Sequence, residues 1–199
     1  MSVYSIGFAK EFLKLARVEY EHENLDPKYN RVLDSKDVDA IRTVIYLCLL
    51  SCEISLKALL EKVGMPVKKI RACSHDLNLL KDMVGFCEVE DEVAPELPGL
   101  KTWGSAFNLF CEPIQQLYEG KMIAPTTVGE LFEGLSKTSK YPDEIRYNEK
   151  MLRHYPPEVV LKMATSILSK AEEYWDRIRK VKATEEGWER RRKEHQHKK

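Results

Sequence analysis

The chain has 199 residues, of which 43% are apolar and 32% are charged, and its formal net charge is zero. This length allows one large domain whose core needs no disulfides. Zero net charge excludes recruitment of nucleic acid by a field of the whole molecule. The charge is unevenly placed, because residues from Arg177 onward carry ten Lys or Arg against four Asp or Glu.

The cysteines and the first residues predict the compartment. Five cysteines are an odd number and none forms a C-x-x-C pair, which indicates reduced thiols in a cytosol. The start M-S-V-Y-S-I-G-F-A-K does not read as a signal peptide. The longest apolar run is interrupted by Glu53 and Lys57 and is too short to predict a membrane span. We therefore expect a cytoplasmic protein with no membrane contact.

The first half of the chain predicts three helices. Apolar residues recur at threes and fours over residues 3–23. A second helix over residues 36–63 is apolar on most of its circumference, which predicts the central and most buried helix. Gly64 and Pro66 end it, since glycine favours the C-terminal cap and proline cannot continue a helix. Ser74 is the predicted cap of a third helix.

The middle of the chain is harder to interpret. Residues 85–102 contain two glycines, two prolines and an acidic run, which predicts an exposed loop. Residues 103–118 have apolar positions at helical spacing, with a break expected at Pro113.

The last third predicts two more helices and a tail. Thr127 and Glu130 form a capping-box pattern, and Pro157 suits the first turn of a final helix. The sequence thus predicts an all-α fold, an antiparallel bundle of four to five helices in one domain over residues 1–182. Residues 183–199 are predicted to be a basic, flexible tail, in which Arg190 to Lys193 could contact RNA phosphates and Trp188 could stack on a base.

Four polar residues stand out near the predicted central helix. Glu53 and Lys57 lie four residues apart inside its apolar run, which places both on one helix face in the favourable order. His75 and Asp76 follow a short loop later. A solvated helix stripe and a helix cap would also explain these residues. We nevertheless expect Glu53 to meet partners from other helices, because its own face offers so few polar neighbours.

A second polar cluster lies between residues 141 and 154. It contains Arg146, Tyr147, Asn148, Arg153 and His154. Histidine can move protons near neutral pH, and arginine can stabilise the charge of a phosphorane transition state. These are the groups needed for phosphodiester chemistry without a metal, although a solvated helix end would carry similar charges. No metal-ligand motif and no cofactor motif is found, so neither is predicted.

These motifs together resemble the HEPN domains (higher eukaryotes and prokaryotes nucleotide-binding). The segments that carry the resemblance are S-C-E-I-S-L-K-A-L-L-E-K-V-G, then S-H-D-L-N-L-L, then E-I-R-Y-N late in the chain. They cover residues 36–84 and 138–155, and they follow the order in which such motifs recur in the family, so the chain looks like a divergent bacterial-type member. Relative to the small members, residues 85–137 look like an extra loop or helix. The resemblance implies a HEPN-like bundle and a homodimer that contacts RNA or a nucleotide, with an antitoxin or another protein as a further partner.

The resemblance also implies two alternative activities. In the first, the protein is a metal-independent endoribonuclease of a toxin–antitoxin or phage-defence system. Its catalytic residues would then be Arg146, His154 and His75, and Glu53 would orient Arg146. In the second, the protein is a non-catalytic module that binds a nucleotide or a protein.

The resemblance also implies binding and orienting residues. In the module, Lys57, His75, Arg146 and Tyr147 would converge on an anionic ligand, with Glu53 as its structural counter-ion. Lys57, Tyr147, Asn148 and Arg153 would contact the ligand or RNA, and Asp76 would be structural. Seven residues separate Arg146 from His154, whereas the nuclease pattern has four to six, and this favours the module. The other pair, Arg71 and His75, has only three residues between its members.

Overall fold

The computed structural model describes residues 2–23, 25, 35–92, 101–118, 121–138 and 156–196. The described part is mostly helical, as predicted for an all-α class, with two small sheets. The helices are α1 (Ile6–His22), α2 (Ser35–Lys62), α3 (Val67–Ala72), α4 (Leu77–Gly85), α5 (Val128–Thr138), α6 (Pro157–Tyr174) and α7 (Lys182–Gln196). The strands are β1 (Glu88–Glu92), β2 (Lys101–Ser105), β3 (Pro113–Tyr118), β4 (Lys121–Thr127) and β5 (Ile178–Arg179).

Helix α2 is the central element, as the sequence predicts. Every residue from Ser51 to Leu60 is buried, and the helix packs against α1, α4 and α6. It ends at Lys62, and Gly64 adopts a φ of 86°, a left-handed conformation that glycine reaches without strain. This burial places the polar groups of α2 inside the protein, where each needs a partner.

The segment after α4 corrects two expectations. Part of the predicted loop 85–102 forms β1, and the predicted helix 103–118 is replaced by β2, a short 3-10 helix over Ala106–Phe110, and β3. Strand β1 pairs antiparallel with both β2 and β5, while β3 and β4 form an antiparallel pair. Pro113 begins β3 instead of kinking a helix. It lies at a strand end, where a missing N–H is tolerated.

Helices α5 and α6 begin where the sequence predicts. The N–H of Glu130 donates to Thr127 Oγ1 at 3.2 Å, and the N–H of Thr127 donates to Glu130 Oε2 at 2.9 Å. These two bonds form the predicted capping box. Helix α6 begins at Pro157, and its apolar face is buried against other elements that include α1, α2 and the 3-10 helix.

Helix α7 replaces the flexible tail that was predicted from residue 183. It packs on α4, and Trp188 is buried with its indole Nε1–H donating to the Met83 carbonyl at 2.7 Å. A Cβ built on Gly187 would lie 2.7 Å from the Phe86 ring, so the backbone approaches α4 closely there. Because its indole is used in the core, Trp188 is not available to stack on a base.

Candidate functional site

Glu53 and Lys57 form an ion pair inside the protein. Lys57 Nζ lies 2.6 Å from Glu53 Oε1, and their side chains are only 7% and 5% exposed. The ammonium group also lies 5.5 Å from the centre of the Tyr4 ring, within the range of a cation–π contact. The charge of Lys57 is therefore already compensated within the fold. A ligand could contact Lys57 directly only if this pair opened.

His75 joins the pair from the loop between α3 and α4. Its Nδ1 lies 3.0 Å from Glu53 Oε2, the carboxylate oxygen that Lys57 does not contact. A carboxylate can only accept, so this contact requires the proton on Nδ1 and leaves Nε2 as the nitrogen that can exchange a proton. The His75 side chain is 49% exposed although Glu53 is buried. A buried carboxylate thus orients a histidine that reaches the surface.

The local backbone explains how His75 reaches Glu53. The chain leaves α3 through Ser74, whose φ of 50° lies in the left-handed region. Asp76 then caps α4, with its Oδ1 accepting from the Leu79 N–H at 2.8 Å. The cap of α4 is therefore Asp76 and not Ser74, which corrects the sequence prediction. The cap fixes the start of α4, and it therefore helps to hold His75, the residue before Asp76, in position.

A further carboxylate on α2 was missed by the sequence analysis. Glu61 lies one turn beyond Lys57 and accepts from the backbone N–H groups of Val3 and Tyr4 and from the hydroxyl of Ser2, at 2.8 to 3.1 Å. Burial raises the pKa of Glu61, but these hydrogen bonds outweigh it and hold the pKa below its ordinary value. The spacing of Glu53, Lys57 and Glu61 at four-residue intervals was the available signal. Glu61 places Tyr4 over Lys57.

Five predicted site residues lie outside the described part of the chain. These are Arg146, Tyr147, Asn148, Arg153 and His154. The structure brings Glu53, Lys57 and His75 together, with Asp76 beside them. Arg71, the other arginine considered, is an exposed residue of α3. The ligand- and RNA-binding roles stay predictions.

A second buried cation was not singled out from the sequence. Lys81 of α4 is buried, and its Nζ lies 2.5 Å from Glu133 of α5 and 3.9 Å from Asp82. Asp82 also forms an ion pair with Arg191 of α7, in which Arg191 Nε lies 3.3 Å from Asp82 Oδ2. These charges link α4 to two other helices, which is a structural role.

Other kinds of site find little support in the described residues. Within them, no group of three or more His, Cys, Asp and Glu side chains could hold a metal ion. One helix, α2, is long and apolar enough to cross a membrane by length and composition, but most of it is buried against the rest of the fold. That is weak evidence for a membrane span.

Comparison with protein-family models, curated proteins and solved structures found no match to this chain.

Proposed function

We propose that this chain is a HEPN-type protein that acts on RNA as a metal-independent endoribonuclease, with His75 as a proton-transferring group that Glu53 orients. The observation that carries the proposal is the 3.0 Å contact between His75 Nδ1 and the carboxylate of Glu53. Glu53 is buried, whereas the His75 side chain is half exposed. The mostly helical fold supports the class. A HEPN-like arrangement of the helices is part of the proposal.

The proposed reaction needs one group that removes a proton and one that donates it. As general base, His75 Nε2 takes the proton from an RNA 2′-hydroxyl, whose oxygen attacks the adjacent phosphorus. The bond to the 5′-oxygen breaks, and a protonated histidine, His154 in this proposal, supplies a proton to that oxygen. The products are a 2′,3′-cyclic phosphate and a 5′-hydroxyl. Arg146 holds the phosphate, while Tyr147, Asn148 and Arg153 position the RNA.

The geometry changes the role proposed for Glu53. The resemblance implies that Glu53 orients Arg146, but the two carboxylate oxygens of Glu53 contact Lys57 and His75. We therefore assign Glu53 to His75, where its negative charge stabilises the imidazolium formed after proton transfer. Lys57 holds the Glu53 carboxylate in place.

The direct test is RNA cleavage in EDTA by the purified full chain. We expect cleavage to fall at least about 100-fold in His75→Ala, and by a smaller factor in Glu53→Gln. His22→Ala is the matched control, because His22 Nδ1 also lies 3.0 Å from a carboxylate, that of Glu23, on the exposed end of α1. All variants are compared at a protein concentration at which they have the same oligomeric state. Arg146→Ala and His154→Ala test the other roles. The proposal would be wrong if wild type and His75→Ala cleaved RNA equally, or if the wild type cleaved no RNA.

The second candidate is a non-catalytic HEPN module that binds a nucleotide or a protein. Two observations favour it: the seven residues between Arg146 and His154, and the internal compensation of Lys57. Calorimetry with a panel of nucleotides tests it, with His75→Ala and His22→Ala compared. No heat with any nucleotide would leave a protein partner as the ligand.

The setting of either function is also a proposal. We infer a cytoplasmic homodimer, with an antitoxin or another protein as an additional partner in the nuclease case. Co-purification from the native host, followed by mass spectrometry, would identify such a partner. Recovery of the chain alone would leave the homodimer as the assembly to test.

A further inference from the structure

The outward face of α1 carries an apolar stripe. Among the residues that the structure describes, Phe8, Leu15 and Val18 of α1 are 57%, 53% and 55% exposed. Because seven residues make nearly two helical turns, Phe8 and Leu15 lie above one another, and Val18 lies beside them. Exposed apolar side chains gathered on one face mark an interaction surface, whereas single ones do not.

The opposite face of α1 is already used. Ala9, Leu13 and Ala16 are buried, and α1 packs against α2 and α6. Lys10 forms an ion pair with Glu172, and Arg17 donates to Thr165 Oγ1 at 2.9 Å, both in α6. The helix is therefore anchored in the fold, and its stripe is presented on a rigid element.

The charges that border the stripe indicate what covers it. In heptad terms Phe8, Leu15 and His22 occupy one core position, Glu11 and Val18 the other, and Lys14 and Glu21 flank them. If two copies of α1 pair antiparallel, Leu15 of each copy meets Val18 of the other. The same register places Glu11 opposite His22 and Lys14 opposite Glu21 of the second copy. Each favourable pair occurs twice by two-fold symmetry.

The parallel arrangement is disfavoured by the same residues. It would place Glu11 in the seam against Glu11 of the second copy, and like charges at a closed interface cost affinity. The stripe also continues toward Val3, which is exposed just before the helix begins. The antiparallel pairing thus joins Leu15 to Val18 and sets opposite charges against each other, while Phe8 lies beyond the turns that pair.

We infer that α1 is a self-association surface, through which two copies of this chain pair antiparallel about Leu15 and Val18. The inference names a surface for the homodimer of the proposed function, but it rests on α1 and not on RNA chemistry. A protein that cleaves no RNA but dimerises through α1 would separate the two, as would an active protein that is monomeric.

The test is the mass of the full chain in solution, by sedimentation and light scattering over a concentration series. We expect a dimer, and we expect Leu15→Glu and Val18→Glu each to raise its dissociation constant at least about tenfold. Phe107→Glu is the matched control, because Phe107 is similarly exposed but lies outside α1. Unchanged circular dichroism would show that each variant is folded.

A charge swap tests the register. Lys14→Glu and Glu21→Lys should each weaken the dimer, by roughly tenfold, and the double variant should restore it. A monomeric wild type at the highest concentration, or a dimer that Leu15→Glu and Val18→Glu leave intact, would overturn the inference. Failure of the double variant to recover would overturn the antiparallel register.

Discussion

Lys57 Nζ lies 2.6 Å from Glu53 Oε1 in the middle of α2, and neither side chain is more than 7% exposed. Burial of two charges is costly, and their attraction offsets that cost only while both are present. His75 contacts the second oxygen of the same carboxylate. Stability and the proposed chemistry therefore depend on one buried group.

Removing only the cation should destabilise the protein. We expect Lys57→Ala to lower the free energy of unfolding by about 3–5 kcal/mol, because it leaves Glu53 buried without its main partner. The double variant Glu53→Leu with Lys57→Leu should lose much less, since apolar replacement of a buried pair is often neutral. Urea denaturation measures both. Equal midpoints for Lys57→Ala and wild type would contradict the buried pair.

The close approach at Gly187 makes a specific substitution unfavourable. Gly187→Ala should destabilise the protein by about 1–3 kcal/mol, because its new methyl group would lie 2.7 Å from the Phe86 ring and force the helices apart. Thermal unfolding monitored by circular dichroism measures the change. The neighbouring exposed position serves as control, and Glu186→Ala should leave the unfolding temperature nearly unchanged. A similar temperature for both variants would argue against docking of α7.

Thiol reactivity should distinguish one cysteine from four. Cys111 is exposed, whereas Cys48, Cys52, Cys73 and Cys87 are buried. Burial raises the pKa of all four buried thiols, that of Cys87 to about 12. Because the thiolate is the reactive form, we expect one fast reaction with a disulfide reagent in the native protein. Cys111→Ser should abolish the fast phase, and a remaining fast phase would place another thiol at the surface.

The hydrogen bonds by which Glu61 anchors residues 2–4 to α2 should weaken in acid. The fold holds the pKa of Glu61 below its ordinary value of 4.5, so its stabilisation is complete above that pH and is lost as the pH falls through the folded pKa. The stability difference between wild type and Glu61→Gln should therefore shrink from about pH 6 to about pH 3. Denaturant titrations at several pH values measure it. Glu186→Gln is the control, and a difference independent of pH would contradict the ionised anchor.

Local signals predicted the elements that depend on local chemistry. The apolar circumference of α2 and the glycine after it placed that helix within one residue, as Ser35–Lys62 against 36–63. The capping box at Thr127 and Glu130 was also confirmed, because both of its bonds lie within four residues. The contact of Glu53 with a partner from outside α2 was predicted from its lack of polar neighbours.

Elements stabilised by distant contacts were missed. Strand β1 begins Glu88-Val89-Glu90, too charged for a typical strand, and exists because it pairs with β2 and β5. Residues 182–196 have few apolar side chains, a composition that predicts a solvated tail. The single indole of Trp188 and the close packing at Gly187 hold α7 on α4. No periodicity in one segment can show a partner that lies about a hundred residues away.

The docking of α7 has a consequence for synthesis on the ribosome. The hydroxyl of Thr184 donates to the Phe86 carbonyl across 98 positions of sequence, and Trp188 reaches Met83 across 105. The end of α4 is thus made long before its cover emerges from the exit tunnel. Until then the apolar side of α4 that Trp188 covers stays open to water and to chaperones, and closing it is a late step of folding.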